Sequence, residues 1–122
     1  MNKRRISLAE ELHSQGKAKE LYELIKLDVE KEDPYAMYFS STISLNEWHE
    51  SEEEFDERRI RCLKKSVEGK VPAAAYQLAC CYLYGEGVAR DWEKGRYYAR
   101  LASEYGHPHA GALLDQLEPK GD

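Results

Sequence analysis

Residues 83–95 read LYGEGVARDWEKG, and the two glycines of this stretch, Gly85 and Gly87, decide how the surrounding chain folds. A dinucleotide-binding loop needs a third glycine three positions later, after a strand and before a helix. Arg90 occupies that position. The preceding run, AAAYQLACCYLY, is too long for a typical strand and begins with three strong helix formers. The stretch therefore predicts a turn that joins two helices rather than a phosphate site.

The rest of the chain has the same organisation of helical patterns divided by short breaks. Gly16, the pair Asp33-Pro34 and a polar stretch after Leu45 are the first three breaks. No run of alternating apolar and polar residues indicates a strand. We predict helices at residues 6–13, 17–31, 34–45, 54–68, 72–84, 91–105 and 109–117, which make three helical hairpins and a terminal helix.

A repeat appears when Ala74 is aligned with Ala110 and Leu78 with Leu114, a spacing of 36 residues. The hairpin before it fits the same pattern with small insertions, and Asn46 then takes the position of Gly85. Glycine adopts the left-handed conformation at helix ends freely, and asparagine tolerates it well. We therefore expect Asn46 to end a helix as Gly85 does.

Composition limits the function classes. The 122 residues predict one domain, and 34% of them are charged, with a formal net charge of −5. This charge disfavours nucleic acid and anionic membranes and favours a basic partner. The chain contains no signal-peptide pattern, and no stretch is apolar enough to span a bilayer. Three cysteines, two of them adjacent, form no disulfide framework. We expect a complete, cytoplasmic protein with reduced thiols.

Residues between positions 72 and 110 closely resemble the Sel-one-like repeat, a relative of the tetratricopeptide class, and the resemblance is looser over 34–71 and only architectural before that. They are Ala74, Leu78, Ala79, Tyr82, Gly85, Gly87, Val88, Asp91, Ala102, Gly106, His107, Pro108 and Ala110. The chain departs from the family at Gly95, Tyr98 and Ser103. The resemblance assigns a clear repeat to residues 72–108, a degenerate repeat to 34–71, an N-terminal hairpin to 6–32 and a capping helix to 109–117. It implies an all-α fold, a short right-handed α-solenoid.

What the resemblance implies for function is an adaptor or scaffold that binds other proteins without catalysis. A second interpretation suits a small acidic chain of this kind, namely a bacterial immunity protein that binds and neutralises a cognate toxin. An enzyme or a cofactor carrier is a third class, but no Ser-His-Asp or Cys-His arrangement supports it. His107 and His109 lack further ligands at a metal-binding spacing, and Cys80 and Cys81 point to different sides of a helix. We expect no cofactor and no metal.

Two surface features are candidate binding sites. The stretch 46–57, NEWHESEEEFDE, places seven acids around Trp48, either as a flexible charged loop or as a docking site with an aromatic anchor. The second feature is the side of helix 72–84 opposite its expected buried stripe, continued by equivalent positions of helix 34–45. These side chains bind a partner or only satisfy local packing. The candidate residues are Tyr38, Ser41, Leu45, Trp48, Glu52, Glu53, Glu54, Gln77, Cys80 and Tyr84.

Overall fold

The computed structural model describes residues 1–117, and within them every regular element is a helix. The all-α prediction is confirmed. A short 3₁₀-helix, Asn46–Trp48, lies between the third and fourth of the α-helices. The α-helices are α1 (Lys3–Ser14), α2 (Ala18–Glu30), α3 (Pro34–Ser41), α4 (Glu52–Glu68), α5 (Pro72–Tyr84), α6 (Trp92–Glu104) and α7 (Ala110–Leu117).

The turn at Gly85 and Gly87 joins two helices, as these glycines predict. Gly85 and Gly87 have φ values of 69° and 75°, both in the left-handed region, and they join α5 to α6. The Asp91 carboxylate accepts a hydrogen bond from the Lys94 backbone N–H at 3.1 Å and so caps α6. Val88 packs against the central core.

The predicted end of α3 is wrong. The helix ends at Ser41 rather than at Leu45, because the backbone carbonyls of its last turn have other partners. The Ser41 and Thr42 hydroxyls donate to the carbonyls of Tyr38 and Phe39, and Thr42 Oγ1 lies 2.7 Å from its acceptor. Such local side-chain bonds compete with continued helix.

The left-handed conformation predicted for Asn46 is also wrong. Asn46 begins the 3₁₀-helix, and the left-handed residue of this connection is His49, with φ of 50°. The connection is therefore a different turn from the one between α5 and α6.

Three helix ends share a conformation that the sequence did not reveal. Glu32, Lys70 and Gly106 each adopt positive φ, and each stands two residues before a proline. The next residue in each case donates its backbone N–H to the carbonyl five residues earlier, the pattern of the Schellman motif. The same bond follows Gly16 and Gly85, so the proline is what distinguishes these three ends. The junctions that follow α2, α4 and α6 are thus built alike, at spacings of 38 and 36 residues.

The helices pack mainly against their neighbours in sequence. The largest contact joins α5 to α6, where Gly95 of α6 approaches the buried residues Ala79 and Leu83 of α5. Leu21, Ile25 and Phe39 centre an N-terminal cluster of buried side chains. A central cluster contains the fully buried residues Leu63, Val71, Ala74, Ala75 and Leu78. A third cluster, with Ala79, Leu83, Ala99 and Leu117, joins α7 to α5 and α6.

Candidate functional site

An open cavity of about 280 Å³ brings together three of the candidate residues, Tyr38, Ser41 and Gln77. Tyr38 and Ser41 lie on α3, and Gln77 lies on α5. The prediction that α3 and α5 line one surface is therefore supported by their side chains. Sequence reasoning missed the other lining residues, which come from α1, from the end of α3 and from α4: His13, Thr42, Phe55, Arg59 and Leu63.

A second cavity, of about 290 Å³, shares Tyr38 with the first. It adds Glu10 of α1, Tyr35 of α3, Pro72 of α5 and His107. The two cavities together follow α1, α3 and α5, and we call them the Tyr38 groove. Residues of α1, α3 and α5 line both cavities, and residues of α4 line the first of them as well.

Tyr38 is the residue common to both parts of this groove. Burial raises the pKa of its hydroxyl, and the nearby Glu10 carboxylate raises that pKa further. Like any tyrosine hydroxyl it is protonated at neutral pH and can donate a hydrogen bond, and the shift moves its ionisation still further from neutral pH. The ring packs edge-on against Phe39 with centroids 5.3 Å apart, so its position is fixed by the core. Gln77, by contrast, is exposed and offers both a donor and an acceptor.

Two further candidates lie outside the groove. Leu45 follows the end of α3, so the helical position predicted for it does not exist, and its side chain is half buried. Tyr84 is 69% exposed at the end of α5. It stands seven residues after Gln77, about two turns along the same helix face. Cys80 is half buried, whereas Ala75, Leu78, Ala79 and Tyr82 form the predicted buried stripe.

The Trp48 side chain packs against residues of two helices of the protein itself. Its ring packs edge-on against Tyr22 at 5.0 Å between centroids, and the Arg58 guanidinium lies 4.9 Å from the ring centroid. Arg58 also pairs with Glu50, at 2.6 Å from Nε to Oε2, and donates to the carbonyl of Ser40 at 2.9 Å. The stretch 46–50 is therefore fastened to α2 and α4, and Trp48 is half buried.

The seven acids around Trp48 have different roles. Glu47 pairs with Lys19 at 3.6 Å, and Asp56 lies 3.8 Å from Arg59. Glu54 forms a capping box with Ser51 at the start of α4. Of these seven acids, Glu52, Glu53 and Glu57 are exposed and make no ion pair or side-chain hydrogen bond within residues 1–117.

The two histidines near α7 make a cap. His107 Nδ1 accepts a hydrogen bond from the His109 backbone N–H at 3.1 Å, and its ring stacks on Tyr76 with centroids 4.2 Å apart. Burial, and secondarily His109, lowers the pKa of His107 and so favours its neutral ring, in which the bond from the His109 N–H makes Nδ1 the acceptor. The described part of the chain contains no group of three or more His, Cys, Asp or Glu placed to hold a metal.

Burial raises the pKa of both neighbouring thiols, Cys80 and Cys81. A thiol with a raised pKa carries little thiolate at neutral pH and is a poor nucleophile or metal ligand. These cysteines therefore behave as packing residues.

Comparison of the chain with known protein families, with curated proteins and with solved structures finds no match. The Sel-one-like resemblance thus rests on the residues that carry it. Among residues 1–117, every helix is too short or too polar to cross a bilayer.

Proposed function

We propose that the protein is a short right-handed α-solenoid of the Sel-one-like type and acts as a non-catalytic protein-binding module. The three alike junctions at Glu32, Lys70 and Gly106 support the repeat, because each returns the chain to the start of the next hairpin. Packing mainly between helices adjacent in sequence is typical of solenoids. Such arrays use the surface lined by their first helices for binding.

The Tyr38 groove carries the functional part of this proposal. It is open, it follows α1, α3 and α5, and it joins aromatic and apolar walls to polar groups of Tyr38 and Gln77. Interface centres are enriched in tyrosine, whose ring supplies buried area while its hydroxyl supplies direction. A segment of a partner protein is the ligand that suits an elongated groove of this composition.

The proposed partner is basic and acts in the cytoplasm. The chain carries a net charge of −5, and Glu10, which lines the groove, makes no ion pair within residues 1–117. Complementary charge accelerates encounter with a partner of opposite sign. The immunity role is the narrower form of this proposal, in which the basic partner is a toxin. Coexpression that protects cells from the captured partner distinguishes it from an adaptor.

Photocrosslinking tests the proposed groove directly. A photoreactive phenylalanine analogue replaces Gln77 in the groove and, as a matched control, Gln116 on α7, because both are exposed glutamines on helices. In extract of the source cells, we expect the probe at position 77 to capture one basic protein and the probe at position 116 to capture none. Identical products from both positions, or no product from position 77, would reject the groove as the binding site.

A further inference from the structure

The outer face of α4 carries a stripe of charges of both signs. Glu53, Glu57, Arg61 and Lys64 recur at steps of three or four residues, and all four side chains are exposed. None of them makes an ion pair within residues 1–117. Two other arginines of the same helix do form ion pairs, Arg58 with Glu50 and Arg59 with Asp56. The outer stripe therefore has no ion-pair partner within residues 1–117, although the charge of Arg61 helps to lower the pKa of Glu50.

A groove runs beside this stripe. Two open cavities of about 440 Å³ each share Glu57 and Gly87, so they form one continuous depression along α4. One end is acidic and contains Glu53, Asp56 and Glu57. The other end has three bases, Arg61, Lys64 and Lys65, and the apolar side chain of Ile60 in its wall. Glu68 lines this end too and, with Glu32, pairs with Lys65, so Arg61 and Lys64 are its unpaired bases.

The charges of the stripe are ordered so that two antiparallel copies of α4 place acidic side chains opposite basic ones. The midpoint between Glu57 and Arg61 is position 59, and the midpoint between Glu53 and Lys64 lies half a residue away, under about 1 Å along a helix axis. A two-fold axis that crosses the interface at the height of residue 59 along the helix therefore brings Glu57 opposite Arg61 of a second α4. The same axis brings Glu53 opposite Lys64. A parallel arrangement at equal height would place like charges together.

We propose that the outer face of α4 is the interface of an isologous homodimer in which two α4 helices pack antiparallel. Glu57 of each copy pairs with Arg61 of the other copy, and Glu53 pairs with Lys64. Interfaces with two-fold symmetry are self-complementary in this way. The contact is small and charged, so the dimer is weak and sensitive to salt.

This interface is independent of the proposed function. Phe55, Arg59 and Leu63 of α4 face the Tyr38 groove, whereas Glu53, Glu57, Arg61 and Lys64 lie on the other side of the helix. A dimer through α4 leaves the groove open. Its test needs no partner protein, so failure of either proposal leaves the other standing.

Sedimentation equilibrium of purified variants tests the dimer. The wild type is expected to dimerise at low salt and to dissociate as salt rises from about 50 to about 500 mM. Glu57→Arg and Arg61→Glu each place like charges at two symmetry-related points, and each is expected to raise the dissociation constant at least about tenfold. The double variant E57R/R61E restores both pairs and is expected to return within about threefold of the wild type.

Mixing the two single variants gives the sharpest comparison. In a heterodimer, Arg introduced at position 57 faces Glu introduced at position 61, so the mixture is expected to dimerise although neither variant does so alone. Glu104→Arg and Arg4→Glu make the same changes of net charge at exposed helical positions and are expected to dimerise like the wild type. A wild type that is monomeric up to about 500 µM at low salt, or single variants that dimerise normally, would overturn the proposal.

Discussion

Gly95 shows how strongly a single residue depends on its neighbours. In an exposed helix, Gly→Ala stabilises by about 1 kcal/mol, because alanine loses less conformational entropy on folding. A Cβ atom at position 95, however, would lie 2.5 Å from Leu83 Cδ2 and 2.7 Å from Leu83 Cγ. Leu83 is 4% exposed and enclosed by its cluster, so it has no free space to move into.

We therefore expect Gly95→Ala to lower the free energy of unfolding by about 1–3 kcal/mol, as measured by urea denaturation. Gly111→Ala is the matched control, because a Cβ at position 111 meets nothing within 4 Å and the residue lies in α7. The control is expected to be neutral or stabilising by up to about 1 kcal/mol. Equal effects at the two positions would contradict the close approach of α6 to α5.

His107 gives the cap before α7 a pH dependence. Burial lowers its pKa below the ordinary value of 6.5, so the folded state favours the neutral ring that accepts the His109 N–H. A lowered pKa contributes stability that is complete above pH 6.5 and is lost as pH falls below it. The hydrogen bond from Arg58 lowers the pKa of Glu50 from 4.5, so the loss from Glu50 begins only at more acidic pH.

The urea midpoint of the wild type is thus expected to fall between about pH 7 and pH 5. His107→Asn keeps a side-chain acceptor for the backbone N–H but removes the titration. In this variant the midpoint should change less over the same range. A fall of the same size in both proteins would show that His107 is not its source.

At the scale of elements, the helices with local start and stop signals are those that the sequence predicts best. The predicted helix 72–84 coincides with α5, because Pro72 stands in its first turn and Gly85 ends it in the left-handed conformation. The end of α3 could not be predicted in this way. It is stabilised by Arg58, which lies 18 residues beyond Ser40 and bonds its carbonyl.

Contacts between residues distant in sequence also determine part of the candidate site, and local sequence patterns could not predict them. Gln77 followed from helical periodicity and Tyr38 from its equivalent position in the repeat alignment, and the structure brings them into one groove. His13 and Arg59 line that groove through tertiary packing, which no local pattern encodes. Trp48 stood out among acids, but the cation and ring that cover it, Arg58 and Tyr22, come from other helices.

Arg58 fastens the connection between α3 and α4, and its replacement tests that element. Its guanidinium bonds Glu50 and the carbonyls of Ser40 and Ile43 and covers Trp48. Arg58→Lys keeps the charge but cannot make the forked set of bonds, so we expect a loss of about 2–3 kcal/mol in the free energy of unfolding. The near-ultraviolet circular dichroism of Trp48 should weaken as well.

Arg4→Lys is the control for this variant, because Arg4 is exposed on α1 and makes no ion pair within residues 1–117. Its effect should stay within about 0.5 kcal/mol. If Arg58→Lys is equally mild, the 46–50 stretch is held by other contacts and the connection is less dependent on α4 than the geometry indicates.

At the scale of the whole molecule, the proposed function predicts that charged side chains change the association rate of the partner, whereas contact residues of the groove change its dissociation rate. Exposed carboxylates act over about 8–10 Å at physiological ionic strength and chiefly change association rates. Glu10 lines the Tyr38 groove, whereas Glu104 lies on α6 outside both of its cavities, and each is exposed. With the captured basic partner, Glu10→Gln should slow association and reduce its salt dependence more than Glu104→Gln does, and neither should change dissociation much.

Substitution of residues that contact the partner in the groove should change the dissociation rate rather than the association rate. Tyr38→Phe removes one hydroxyl without disturbing the ring contact with Phe39, and Gln77→Ala removes an exposed amide. Each is expected to speed dissociation by about fivefold to tenfold and to leave association nearly unchanged, because hydrogen bonds form after the encounter. Surface plasmon resonance at two salt concentrations measures both rates. If groove variants and the Gln116→Ala control dissociate at the same rate, the partner binds elsewhere on the protein.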